Sequence, residues 1–126
     1  SIMASELRVN TLKDASGNNS IATSVVASGS AKATLFYNQA SPTVLDSYNV
    51  ASVTDVSTGV FDPQYTNNMG SGNYSCSRMG VAVAANLDVV SYAYNKAAGS
   101  VRCYNGENNA AIDYTQTDVV VFGDLA

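Results

Sequence analysis

The groups able to do chemistry in this chain are few, and most are carboxylates. The 126 residues contain no histidine and no tryptophan. Without imidazole, Ser–His and Cys–His nucleophiles cannot be assembled, and zinc sites of the Cys/His type lose their nitrogen ligands. Eight aspartates remain as candidates: Asp14, Asp46, Asp55, Asp62, Asp88, Asp113, Asp118 and Asp124. Two acids suffice for glycoside hydrolysis. Most of these, however, fall in turns or at outward strand positions, where solvation or Asx-turn bonding accounts for them. No Asp-x-Asp-x-Asp-Gly loop is present to hold calcium. "MGSGN" at Met69–Asn73 contains Gly-x-Gly but lacks the third glycine and a following helix, so it reads as a loop between strands. The expectation is a non-enzymatic protein with no cofactor and no metal.

Tyrosine and cysteine are the next residues able to act. Tyr92 and Tyr94 share one face of a strand-like run, and Tyr104 precedes an Asn-Gly pair. Exposed tyrosines offer flat apolar rings with a hydroxyl, which suits stacking on sugars; tyrosine is equally a common cross-strand packing residue. Tyr92, Tyr94 and Tyr104 are therefore the candidate receptor contacts. Cys76 and Cys103 sit in "NYSCSRMG" and "SVRCYN". One reading makes them small, half-buried strand residues. The other joins them in a disulfide between neighbouring strands. Two cysteines are too few for a disulfide framework.

The elements that must position these residues are β-strands. Ser, Thr, Asn and Gly supply over a third of the chain while charged residues supply 13%. The surface is thus expected to be hydroxyl and amide rather than ionic. Val, Tyr and Thr favour pleated surfaces, and Asn and Gly favour turns. The net charge is −4, with six basic residues scattered along the chain. Phosphate tracking needs clustered Lys and Arg, so nucleic acid is not an expected partner. No apolar stretch approaches the roughly 20 residues that span a bilayer, and no signal-peptide pattern is visible, so membrane insertion is not expected. Met3 reads as the natural start.

The chain divides into an N-terminal segment, 4–30, and a body, 31–126. In "LRVNTLKD", Leu7 and Val9 share a face if extended; "ASGNNS" breaks the run with turn residues, and "IATSVVASGS" reads as small and flexible. This segment carries too little apolar surface for a core of its own. In "AKATLFYN", Ala31, Ala33, Leu35 and Tyr37 share a face, with Phe36 the exception on the polar side. "TVLDSYNVAS" is expected to put Tyr48 and Val50 on one face. "SVTDVSTGVFDPQY" reads as a hairpin whose second arm points Phe61, Pro63 and Tyr65 one way. Pro63 lacks a donor, so that arm is an edge or carries a break. "YSCSRMG" is a further strand, and "VAVAANLDVVSYAYN" is one bent strand or two. "VRCYNGENN" ends in an Asn-Gly turn, and "TDVVVFGD" closes the body as the kind of run covered on both faces, in the middle of a sheet or at a subunit interface. Short strands at this spacing predict an all-β, antiparallel β-sandwich.

The segment Ser47–Cys76, "SYNVASVTDVSTGVFDPQYTNNMGSGNYSC", resembles a pattern of bacteriophage tail-fibre proteins, especially from marine phages. Tyr48, Asn49, Val50, Ser52, Val53, Thr54 and Asp55 fall on its first part. Gly59, Phe61 and Tyr65 fall on its turn and second strand, and Met69, Asn73, Tyr74 and Ser75 on its last part. The opening "SELRVNTLKDASGNNSIATS" and the closing "TDVVVFGD" look like the corresponding ends of such proteins. Thr34 stands where the family often has tryptophan, Pro63 replaces a strand valine, and residues 80–109 match nothing in the pattern. The resemblance implies a virion structural protein, assembled in the host bacterial cytoplasm as a homotrimer on a tail fibre or similar appendage. Its implied partners are sister copies, other virion proteins and a host cell-surface glycan or protein, with receptor contacts in the unmatched region. Leu7, Val9 and Leu12 would bury one another around the threefold axis. The alternative is a capsid knob, decoration or fibre adaptor without a receptor site.

Overall fold

The computed structural model describes residues 5–81 and 88–126. They form two compact units, one ending at Ser30 and one spanning Ala31–Ala126. The first unit holds a hairpin of β1 (Thr11–Lys13) and β2 (Ser20–Ala22), then a short helix α1 (Thr23–Gly29). The turn is organised by Asp14, whose carboxylate accepts from Ser16 Oγ, Asn18 N and Asn19 Nδ2 at 2.7–3.0 Å. The hydrogen bond from Ser16 leads in holding its carboxyl below the usual range. The helix corrects the expectation of a flexible "IATSVVASGS". Thr23 opens it by donating from both N and Oγ1 to Asn10 O, and Ser30 closes it on Val26 O. No described residue of this unit is buried.

The second unit is an antiparallel β-sandwich, as the spacing of turns predicts. Its strands are β3 (Ala33–Asn38), β4 (Thr43–Tyr48), β5 (Val50–Ser57), β6 (Val60–Tyr65), β7 (Ser75–Val81), β8 (Val89–Tyr94), β9 (Arg102–Glu107), β10 (Ala110–Ala111) and β11 (Gln116–Phe122). One sheet has the order β4-β3-β11-β7; the other runs β10-β9-β6-β5, with β8 also paired to β9. Alternation sends Ala33, Leu35 and Tyr37 inward from β3 and Val119 and Val121 from β11. They meet Phe61 and Tyr65 of β6 and Cys103 of β9. The Tyr37 and Phe61 rings touch across the core at 5.1 Å.

The hairpin at Ser52–Tyr65 is present, with Phe61, Pro63 and Tyr65 buried on one side. Gly59 makes its turn at φ +72°, where an added Cβ would strike the Asn105 carbonyl. Pro63 breaks pairing on the β9 side: it accepts from Val101 N–H at 3.4 Å and has no donor to return.

Three expectations are corrected. Tyr48 and Val50 do not share a face, because Asn49 at φ 55° turns the chain from one sheet into the other. Tyr48 is left 61% exposed while Val50 packs on the core. The turn after β9 is made not by Asn105-Gly106 but by Asn108-Asn109, both at positive φ (50° and 62°). Asn105 and Gly106 remain in the strand, where a Cβ on Gly106 would crowd Tyr104 Oη and Ala110 O. Finally, β11 is central in its sheet, but within one chain it is not covered on both faces. Thr117, Val119 and Val121 are buried, Gln116 and Asp118 are exposed, and Val120 and Phe122 are half-buried. The question of one bent strand or two at Val81–Asn95 falls partly outside the described residues, with β8 its described second half.

Candidate functional site

The three tyrosines singled out from the sequence converge on the outer face of β8 and β9. The strands pair with Tyr92 opposite Tyr104 and Tyr94 opposite Arg102. Ser91, Ala93, Cys103 and Asn105 take the inward positions, so Tyr92, Tyr94, Arg102 and Tyr104 face out. The Tyr92 and Tyr104 rings stack at 4.9 Å and 26°, and Tyr94 packs on Tyr92 at 5.6 Å and 50°. Tyr92 remains 47% exposed. The result is an aromatic platform of tilted and stacked rings on the sheet, with Tyr92 exposed and Tyr94 and Tyr104 half-buried. Beside it, Arg102 donates from Nε and Nη2 to the two oxygens of Asp62 at 2.9 and 2.8 Å. That hydrogen-bonded carboxylate raises the guanidinium's already high pKa.

Tyr104 also forms a wall of an open groove of about 640 Å³, bordered by Asp88, Val90, Glu107, Asn108 and Asn109. The groove gathers two carboxylates and two amides and, among the described residues, no Lys or Arg in its lining. It is thus rich in hydrogen-bond acceptors and negative in charge.

Behind the platform lies a buried polar cluster that sequence reasoning missed. Arg78 of β7 enters the sandwich from the opposite sheet, on the same face of its strand as Cys76 and Gly80. Nε donates to Asp118 O at 3.1 Å. Nη1 donates to Tyr92 O at 2.8 Å and Tyr104 O at 3.3 Å, and Nη2 to Asn105 Oδ1 at 2.9 Å and Thr117 Oγ1 at 2.7 Å. Burial pushes its pKa down from the usual value. Its Cζ lies 5.1 Å from the centre of the Phe61 ring. Ser91 Oγ joins at Asn105 Oδ1, and Asn105 Nδ2 donates to Gln39 Oε1. The available signal was parity: in "YSCSRMG", an inward Cys76 requires an inward Arg78.

Of the other tyrosines, Tyr48 is exposed, and Tyr37, Tyr65, Tyr74 and Tyr114 are buried and structural. Tyr65 Oη donates to Tyr74 Oη at 3.1 Å in the core, and Tyr114 Oη donates to Gly106 O beneath β9. Cys76 and Cys103 are free thiols, the second fully buried, so the disulfide reading is not realised. Burial pushes both thiol pKa values up, that of Cys103 to about 12. Leu7, Val9 and Leu12, the candidate oligomer contacts, all stay exposed, Leu7 at 80%. Leu12 pairs with Ile21 across the small hairpin. Among the described residues, no helix is long and apolar enough to cross a membrane.

Comparison with protein-family models, curated proteins and solved structures finds no match for this chain.

Proposed function

We propose that this chain is a non-enzymatic adhesion module of a virion appendage that holds a host-surface glycan by stacking it on Tyr92, Tyr94 and Tyr104. The single observation that supports this reading is the tyrosine platform on the outer sheet face, with Tyr92 exposed and Tyr104 continuous with an acceptor-lined groove. Aromatic rings pack on the apolar faces of sugars, and carboxylates and amides accept from sugar hydroxyls. The described groove lining holds no cation and Arg102 is already committed to Asp62, so a neutral sugar fits better than a sialylated or phosphorylated one. Single contacts of this kind are weak. A homotrimer would raise avidity by orders of magnitude without new contacts. The exposed apolar residues of the first unit fit that assembly.

The test is a glycan array probed with the whole chain and with a Y92A/Y104A variant. Binding to neutral glycans that the variant loses is the expected result. Two results would overturn the reading. No binding, where intact particles adsorb, leaves a capsid or fibre adaptor role. Release of new reducing ends from a bound glycan makes Asp88 and Glu107 a hydrolytic pair.

A further inference from the structure

We infer that Arg78 is the positioning residue of the tyrosine platform, setting from inside the sandwich the relative placement of the Tyr92 and Tyr104 rings. The inference deepens the adhesion reading and rests on it for its biological meaning. It rests on geometry for the positioning itself.

The main-chain carbonyls that Arg78 Nη1 reaches belong to the two stacked tyrosines, which are direct register partners. Each tyrosine therefore turns its ring to the outer face and its carbonyl to one half-buried guanidinium. β8 is the edge strand of its sheet and pairs only with β9 among the described strands. Edge strands are the part of a sheet freest to shift. Arg78 comes from β7, the edge of the opposite sheet, so its bonds to Tyr92 O and Tyr104 O join the two sheets at the platform.

The residue type follows from the geometry. Five N–H groups in a planar fork meet five acceptors on β8, β9 and β11, none of them a carboxylate oxygen. A stabilising ion pair could be built with one carboxylate. A fork spread over three strands instead defines their spacing. Lysine carries the same charge on a single nitrogen with three donors and cannot span this set.

The test compares Arg78→Lys with Leu35→Val, a core change on β3 of Arg78's own sheet that is expected to lower the melting temperature without touching the platform. The readout is the ring resonances of 13C-labelled tyrosine, supported by near-ultraviolet circular dichroism, which needs no glycan. In R78K the Tyr92 and Tyr104 ring signals should move toward free-tyrosine values, while L35V keeps them. Any glycan bound by the wild type should bind R78K about tenfold more weakly, the loss of one well-placed ring. Unchanged Tyr92 and Tyr104 signals in a folded R78K would overturn the inference. If R78K does not fold, the wild type decides. Its four Nη protons should resolve as separate, slowly exchanging signals, and averaged, fast-exchanging ones would overturn the clamp. A wild type that binds no glycan overturns the adhesion reading alone, and the ring signals still judge Arg78.

Discussion

Tyr92 belongs to two environments at once, its ring in solvent and its carbonyl on a half-buried arginine. The ring does little for the core, so Tyr92→Ala should leave the melting temperature nearly unchanged. It should remove about 0.5–1.5 kcal/mol of stacking from glycan binding, a two- to tenfold loss by titration calorimetry. Cys103 makes the opposite case. Its thiol is held protonated to about 12, against an ordinary 9.0. The folded state thus binds this proton more tightly than the unfolded chain does. The resulting stability is complete below pH 9.0 and drains away as the pH rises toward 12. Native protein should resist iodoacetamide at pH 8 and react at both thiols in urea; rapid native labelling of Cys103 would contradict its burial. Tyr92, Tyr94 and Tyr104 were legible as candidates because period-two alternation puts Tyr92 and Tyr94 on one face. Arg78 was not, because a charge in a strand defaults to solvent until an inward neighbour such as Cys76 sets the phase.

Turns, rather than strands, decide which elements exist and where they end. The Ser52–Tyr65 hairpin was legible because apolar alternation and a glycine corner agree there. Gly59→Ala should destabilise by about 2 kcal/mol or more, since a left-handed backbone and a steric clash with Asn105 O coincide. Urea unfolding checks this, and a neutral effect would mean the turn differs. The Asn105-Gly106 pair misled because its glycine is required by crowding from Tyr104 and Ala110, not by a turn. The two asparagines after it carry the positive φ values instead. Asn109→Gly is accordingly expected to be tolerated, with a change within about 0.5 kcal/mol. The helix at Thr23–Gly29 left no sequence pattern because it buries no face.

At the scale of the molecule, every described buried residue lies in Ala31–Ala126, while the unit before it exposes Leu7, Leu12, Ile21 and Val25. Residues 31–126 alone should therefore fold and stay monomeric by light scattering. The full chain should scatter as a trimer, and a full-length monomer would remove the first unit from any assembly role. The sandwich itself was legible from turn spacing and composition. The sheet order was not, because the crossing at Asn49 and the pairing break at Pro63 depend on contacts far apart in the chain. Adhesion by touch is the central claim, and 13C-tyrosine spectra recorded during titration with neutral envelope oligosaccharides test it most directly. Saturable shifts at Tyr92, Tyr94 and Tyr104, with none at buried Tyr37, Tyr65 and Tyr114, are the predicted result. Shifts absent at every ligand concentration, or confined to the exposed face of β4, would contradict it.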